Sequence, residues 1–123
     1  MQDHPSVTEL LEAVTACLRT QVVPASEDRV AFLARVAANA LDIVRREVQL
    51  APAAQARELQ RLQALLGADA PADLAAANRL LCERIAAGSI GAGHPGLVEH
   101  LRRTTRDKLA IDQPGYAGGD KQE

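Results

Sequence analysis

Aromatic residues are almost absent from this chain of 123 residues, which has one phenylalanine, Phe32, one tyrosine, Tyr116, and no tryptophan. Its hydrophobic core therefore has to be aliphatic, and alanine, which recurs throughout, has the highest helix propensity of all residues. The β-branched and aromatic runs that favour strands are scarce. The stacking platforms that bind single-stranded nucleic acids are missing as well. The composition predicts an all-α protein.

A strong excess of charge of one sign is also lacking, because the formal net charge is only -2. Such a chain has no general attraction to nucleic acids or to anionic membranes. No apolar run approaches the roughly 18 residues that span a bilayer. The first residues lack a basic region followed by an apolar one, so we expect no signal peptide and a cytoplasmic location.

Cysteine and histidine are few, and their spacing fits no metal site. Cys17 and Cys82 form no C-x-x-C pair, and His4, His94 and His100 have no ligand spacing with them. We expect both cysteines to be small buried hydrophobic residues. The sequence predicts no metal and no cofactor.

Helical periodicity is the main positive signal. The first segment covers about residues 7–23, and Ser6 and Glu9 have the spacing of a capping box at its start. The second follows Ser26, a residue type that often caps helices. Its apolar residues form two adjacent stripes, which predicts a central helix with several neighbours. The stripes are Val30, Leu33, Ala37, Leu41, Val44 and Val48, and beside them Phe32, Val36 and Ile43.

Proline and glycine delimit three further helices. Pro52 suits the first turn of a third helix that ends at Gly67, and Pro71 opens a fourth that ends at Gly88. Pro95 begins the fifth.

Chain length and short connections predict one domain. We expect a compact bundle of about five helices over residues 1–112 and an irregular tail over 113–123, where Pro114-Gly115 and Gly118-Gly119 occur.

Two charged or glycine-rich features have a plain and a functional interpretation. The glycine-rich stretch 88–93 precedes a helix and could bind an anion, but no strand leads into it and it is no P-loop. A linker between helices is the alternative. Arg102, Arg103 and Arg106 cluster on the fifth helix, either as a solvated face or as a surface for an acidic partner.

Three polar residues are candidates for a ligand site. Asn78 falls on the apolar face of the fourth helix, where an amide needs partners or costs roughly 1–3 kcal/mol. Asn39 and Arg35 lie at the border of the second helix. These side chains could line a polar pocket or could cross-link helices by hydrogen bonds.

A catalytic constellation is not recognisable, which argues against an enzyme: carboxylates are scattered and Glu-x-x-His pairs are missing. Leu62, Leu65 and Leu66 instead suggest an exposed apolar edge, because Leu65 points away from the stripe of its helix. That edge predicts a homodimer or a complex with another protein.

Several segments resemble the signature of a bacterial helical domain family of unknown function. They are residues 1–3 and 10–14 near the start, 34–41 with 46–47 in the second helix, 78–82 in the fourth, and 108–114 at the end of the fifth. The resemblance implies an association with phosphotransferases similar to aminoglycoside or choline kinases and with acyl-CoA dehydrogenases, beside which such domains are commonly encoded.

The sequence leads to two hypotheses. The first is a helical accessory or interaction protein that is not an enzyme and whose partner is a kinase-like phosphotransferase or a second copy. The alternative is a small-ligand-binding bundle, or an enzyme, with a polar site around Arg35, Asn39 and Asn78.

Overall fold

The computed structural model describes residues 4–118 and confirms the all-helical prediction. It is 82% helical, with five helices and no strand within the described part. None of the described helices is both long enough and apolar enough to cross a membrane. The helices are α1 (Val7–Cys17), α2 (Asp28–Leu66), α3 (Leu74–Ala86), α4 (Leu97–Asp112) and α5 (Pro114–Gly118).

The start of α1 has the predicted capping box. The Glu9 amide donates to the Ser6 hydroxyl at 3.1 Å, and the Ser6 amide donates to the Glu9 carboxylate at 2.8 Å. These bonds satisfy backbone donors that the first helical turn leaves unpaired. Beyond α1 the chain continues as a π-helical turn, Leu18–Val22, and a short α-helical turn, Val23–Ala25.

Helix α2 is a single helix of 39 residues, so the predicted break before Pro52 is wrong. A proline inside a helix removes one backbone donor and crowds the preceding turn. Pro52 is flanked on both sides by alanine, which has a high helix propensity, and the helix continues through it. The prediction that Ser26 caps this helix is also wrong, because its hydroxyl donates to the Val22 carbonyl at 2.7 Å and α2 begins two residues later.

Two of the predicted helix ends, at Gly67 and Gly88, are confirmed, whereas the predicted start at Pro71 is wrong because α3 begins at Leu74. Helix α2 ends at Leu66, directly before Gly67, which has a φ of 72°. The Arg84 guanidinium donates to the last carbonyl of that helix, on Leu66, at 3.1 Å. Asp73 caps α3 by accepting from the Ala76 amide, and Gly88 follows its end with a φ of 81°. Glycine suits both positions because it adopts positive φ without steric cost.

The predicted irregular tail is helical in its first part. Pro114 opens α5, since a proline in the first turn has no backbone donor to leave unpaired. The rest of the predicted tail, 119–123, lies outside the described residues.

By its internal contacts the chain divides into two units, which meet in sequence between Leu50 and Ala51. Unit 1 contains α1, the turns that follow it and the first part of α2. Its buried residues are small: Thr15 on α1 faces inward with Ala31, Ala34 and Ala38 of α2. The prediction of one domain over residues 1–112 stays a prediction.

Unit 2 has the larger aliphatic core. The core is formed by Leu62, Leu66, Ala77, Leu81, Ile90 and Leu97. The prediction that Leu62, Leu65 and Leu66 form an exposed apolar edge is therefore wrong. Leu62 and Leu66 are covered by α3 and α4 residues of that core, and Leu65 is partly buried against it. The buried-cysteine prediction is also wrong, since Cys17 and Cys82 lie on outward-facing parts of their helices.

Candidate functional site

A polar cluster joins the two helices of unit 1. The Arg19 guanidinium donates to Asn39 Oδ1 at 2.8 Å and to Asp42 Oδ2 at 2.7 Å. The first of these bonds links Asn39 to the turn that follows α1, in line with the alternative that this side chain cross-links helical segments. Arg45 also approaches Asp42, at 3.3 Å. The bond from Arg19 is the main reason that the pKa of Asp42 lies below its usual value.

The positions of this cluster establish how the two helices face each other. Only residues 26–27 lie between the last turn after α1 and the start of α2, so the two helices run antiparallel as a hairpin. Arg19 follows the buried Thr15 by four positions, and Asp42 follows the buried Ala38 by four. These equal offsets place the two charges on one side of the hairpin, where they meet.

The exposed aliphatic residues of the two helices also lie at matching intervals from the buried residues Thr15 and Ala38, but they precede them in the sequence. Val7, Leu10 and Val14 lie eight, five and one positions before Thr15 on α1. On α2, the same intervals before Ala38 hold Val30, Leu33 and Ala37. A helix turns about 100° per residue, so all of these residues lie about 80–140° from the buried line of their helix. Viewed from one end, antiparallel helices rotate in opposite senses, and equal offsets therefore fall on the same side.

We call this surface the hairpin face. Its large side chains are Val7, Leu10 and Val14 of α1 and Val30, Leu33, Val44 and Val48 of α2, each 43–59% exposed. It lies on the side of the hairpin opposite Arg19 and Asp42. The second predicted stripe of α2, which includes Phe32, Val36 and Ile43, is exposed as well. The prediction that these two stripes pack against several neighbours is therefore wrong within the described chain, because the buried line of this segment runs through Ala31, Ala34 and Ala38.

The three predicted ligand residues have separate surroundings. Asn39 is bonded to Arg19, and Arg35 is exposed on α2 in the same unit. Asn78 belongs to unit 2, where its amide donates to Glu58 at 3.1 Å and to the Leu74 carbonyl at 3.2 Å. The predicted hydrogen bond from Asn78 to another helix is confirmed. A ligand-binding role for these three residues stays a prediction.

A second polar cluster in unit 2 is centred on a buried histidine. His100 of α4 is 2% exposed. Its Nδ1 accepts from Arg61 Nε of α2 at 3.1 Å, and Arg61 Nη2 donates to the Thr104 hydroxyl at the same distance. Burial, and then the positive charge of Arg61, lower the pKa of His100. The imidazole is therefore neutral at pH 7, and it orients Arg61 without neutralising the charge of the guanidinium.

Four arginines converge beside this histidine. Arg57 and Arg61 of α2 and Arg103 and Arg106 of α4 line a cavity of about 250 Å³ together with Asp107. We call this cavity the arginine pocket. Arg57 approaches Asp107 at 3.7 Å.

The three arginines that the sequence predicted to cluster on α4 do not all line this pocket. Arg103 and Arg106 line the arginine pocket, whereas Arg102 does not. Arg103 donates to Glu99 at 2.7 Å, and this bond is the main reason that the pKa of Glu99 is lowered. Arg102 also approaches Glu99, at 3.6 Å.

Sequence reasoning missed His100 and Thr104 as inward-facing residues of α4. Val98 and Leu101, the apolar neighbours of His100 in the sequence, are about half exposed and line a shallow groove with Leu109 and Tyr116. The inward line instead runs through Leu97, His100, Thr104 and Ile111. That line has helical spacing, and it could have been found by treating a histidine and a threonine as core residues paired to an arginine.

Metal-binding chemistry has no support in the described part of the chain. Between residues 4 and 118, no three His, Cys, Asp or Glu side chains lie close enough together to hold a metal ion.

Comparison with curated proteins and with solved structures finds no significant match. Residues 24–116 match the family described as "Domain of unknown function (DUF6285)". This match includes all of α2, α3 and α4, and both the Asn78 and the His100 clusters. The chain belongs to the DUF6285 family.

Proposed function

We propose that this protein is a helical interaction protein rather than an enzyme, and that it assembles through the hairpin face. The observation that carries the proposal is the row of exposed aliphatic residues that α1 and α2 share on one side of unit 1. Contiguous apolar surface of this kind marks sites of protein association.

The occupant that we propose for the hairpin face is the same face of a second copy. By helical position the face contains no charged residue, so two copies can meet without burying an ion. Two hairpins stacked in this way form a four-helix arrangement, which is a common packing for amphipathic helices. An isologous contact of this type is also the commonest way in which identical chains associate.

The size of the hairpin face fits such a contact. Its seven half-exposed aliphatic side chains present on the order of 600 Å² of apolar surface, near the roughly 800 Å² per partner of a stable interface. Val30 and Val48 are separated by about 27 Å along α2, which is enough for five helical turns of contact.

Introducing a charge into the hairpin face tests the proposal. Leu10 is 50% exposed, so Leu10→Glu leaves the new carboxylate in water in a single chain. In the pair the carboxylate would be buried without a partner. We expect light scattering to give twice the chain mass for the wild type, and Leu10→Glu to weaken the association at least tenfold, or by about 1.4 kcal/mol or more.

Ala16→Glu is the matched control, because Ala16 is an exposed residue of the same helix on the side of Arg19. It adds the same charge and should leave the mass unchanged. A wild-type protein that stays monomeric when its concentration in the light-scattering experiment is raised about 100-fold would contradict self-association. Equal effects of Leu10→Glu and Ala16→Glu would show that net charge, and not this face, controls assembly.

The family resemblance adds a partner to this proposal. It leads us to propose a kinase-like phosphotransferase, acting in acyl-CoA or related metabolism of a bacterial cytoplasm, as the enzyme that the assembled protein accompanies. This part rests on the resemblance alone. Affinity purification with the wild type and with Leu10→Glu tests it, because a phosphotransferase recovered with neither form would contradict the association.

A further inference from the structure

We propose that the arginine pocket of unit 2 binds a protonated phosphate group, either hydrogen phosphate or the monoester of a small molecule. This site is independent of the hairpin face, since every residue that lines it belongs to the second unit.

The first argument is the number and type of donors. Arg57, Arg61, Arg103 and Arg106 bring four guanidinium groups to one cavity, whose one lining carboxylate is Asp107; Arg103 is also bonded to Glu99, outside the lining. A guanidinium is a planar donor with five N–H groups, and its geometry matches the oxygens of a phosphate. A ligand with one carboxylate has only two oxygens and would accept from fewer of these N–H groups than a phosphate does.

The second argument is that Arg61 is held in place by neutral groups. Most arginines inside a protein pair with a carboxylate, which cancels their charge. Arg61 instead bonds to the His100 imidazole and to the Thr104 hydroxyl, both at 3.1 Å. Its side chain is therefore oriented while its positive charge remains available to an anion.

The third argument concerns the carboxylate of Asp107. An anion without a proton would be repelled by this group at the edge of the pocket. Hydrogen phosphate carries an O–H that can donate to Asp107, whereas sulfate, which has the same shape and charge, has none to donate. The pocket is thus built to prefer a phosphate that still holds one proton. Its volume, about 250 Å³, suits a single phosphate with a small substituent.

Calorimetric titration with inorganic phosphate, glycerol phosphate and sulfate tests the site, at equal ionic strength and near pH 6.5. We expect both phosphates to bind and sulfate to bind about tenfold more weakly, as the loss of one charged hydrogen bond predicts. Tighter binding of glycerol phosphate would identify a monoester as the ligand, and tighter binding of inorganic phosphate would identify the free ion. Sulfate binding as tightly as phosphate would overturn the proposal, since the pocket would then hold an adventitious ion only.

Arginine variants locate the binding. Arg57→Gln and Arg106→Gln change exposed side chains of two different helices, so neither should prevent folding. Each should weaken phosphate binding about tenfold. Arg102→Gln is the matched control: Arg102 is on the same helix as Arg106 and carries the same charge, but does not line the pocket. Equal losses for all three variants would overturn the assignment, because net charge alone would explain them.

The Arg61 Nε–H resonance gives a readout that does not depend on affinity. Because this proton is bonded to His100, its NMR signal should be resolved in the free protein. Phosphate should shift it in the wild type and in Arg102→Gln. A signal that stays fixed while calorimetry reports binding would place the phosphate elsewhere on the protein.

Discussion

The two units of this chain differ in how many of their large aliphatic side chains they bury. The core of unit 2 has six buried aliphatic residues, five of them leucine or isoleucine on α2, α3, α4 and the loop before α4. The buried residues of unit 1 are alanines and one threonine, and most of its valines and half of its leucines are exposed. A helix in a two-helix hairpin has one neighbour, which covers only part of its circumference. The wide apolar arc of α2 therefore exceeds what α1 can cover, and unit 1 is the part of the molecule for which we propose a partner.

The largest loss of stability is expected from a substitution in the core of unit 2. Leu62 is fully buried in the core, so Leu62→Ala should cost about 2–5 kcal/mol through lost burial and the cavity that remains. Denaturation in urea should show this loss at every protein concentration. For Leu10→Glu we expect a destabilisation that depends on protein concentration. If Leu62→Ala gave a concentration-dependent loss instead, the distinction between a closed core and an interface would fail.

A smaller effect is expected where polar groups hold unit 2 together. Asn78→Ala removes the donor to Glu58 and leaves a partly buried carboxylate without it, which should cost about 1–2 kcal/mol. Glu58→Gln is the control, because a glutamine oxygen can still accept from Asn78. An unchanged denaturation midpoint and slope for Asn78→Ala would show that the bond does not contribute to stability.

The smallest effect is expected in unit 1, at the bond between Arg19 and Asp42. Asp42→Asn should cost only about 0.5 kcal/mol at pH 7, because the pair is partly exposed to solvent. The folded-state pKa of Asp42 is lowered, so its contribution is present above the unfolded value of roughly 4 and is lost as the pH falls through the folded value. The difference between variant and wild type should therefore shrink as the pH falls below the unfolded value of roughly 4. If the difference in stability between Asp42→Asn and the wild type grew as the pH was lowered, the bond between Arg19 and Asp42 could not be its cause.

The sequence predicted the features that depend on local chemistry. The capping box of Ser6 and Glu9, and the glycine ends at Gly67 and Gly88, follow from backbone groups that need partners within a few residues. They were found because these partners lie close in sequence. The all-helical class follows from composition and periodicity in the same way.

The errors concern which side of a helix meets a neighbour. Pro52 is compatible with the start of one helix or the interior of another, and only the rest of the fold decides between them. Leu62 was placed on a surface because its cover, α3, cannot be assigned from the sequence of α2 alone. His100 was missed because its burial depends on Arg61, which is 39 positions away. The helical spacing of His100 with Leu97 and Thr104 is a local pattern, but its pairing with Arg61 is not.

The most direct test of the central claim, that unit 1 pairs through the hairpin face, is a spin-label distance. Cys17 is exposed on α1 near the edge of this face, and in Cys82→Ser it is the only cysteine of the chain. Two paired faces about 27 Å long should bring labels on the two Cys17 residues within about 40 Å of each other. Double electron–electron resonance should therefore detect a defined distance below that limit, and Leu10→Glu should abolish it. A folded protein that shows no coupling between Cys17 labels, or one whose coupling survives Leu10→Glu unchanged, would contradict the account.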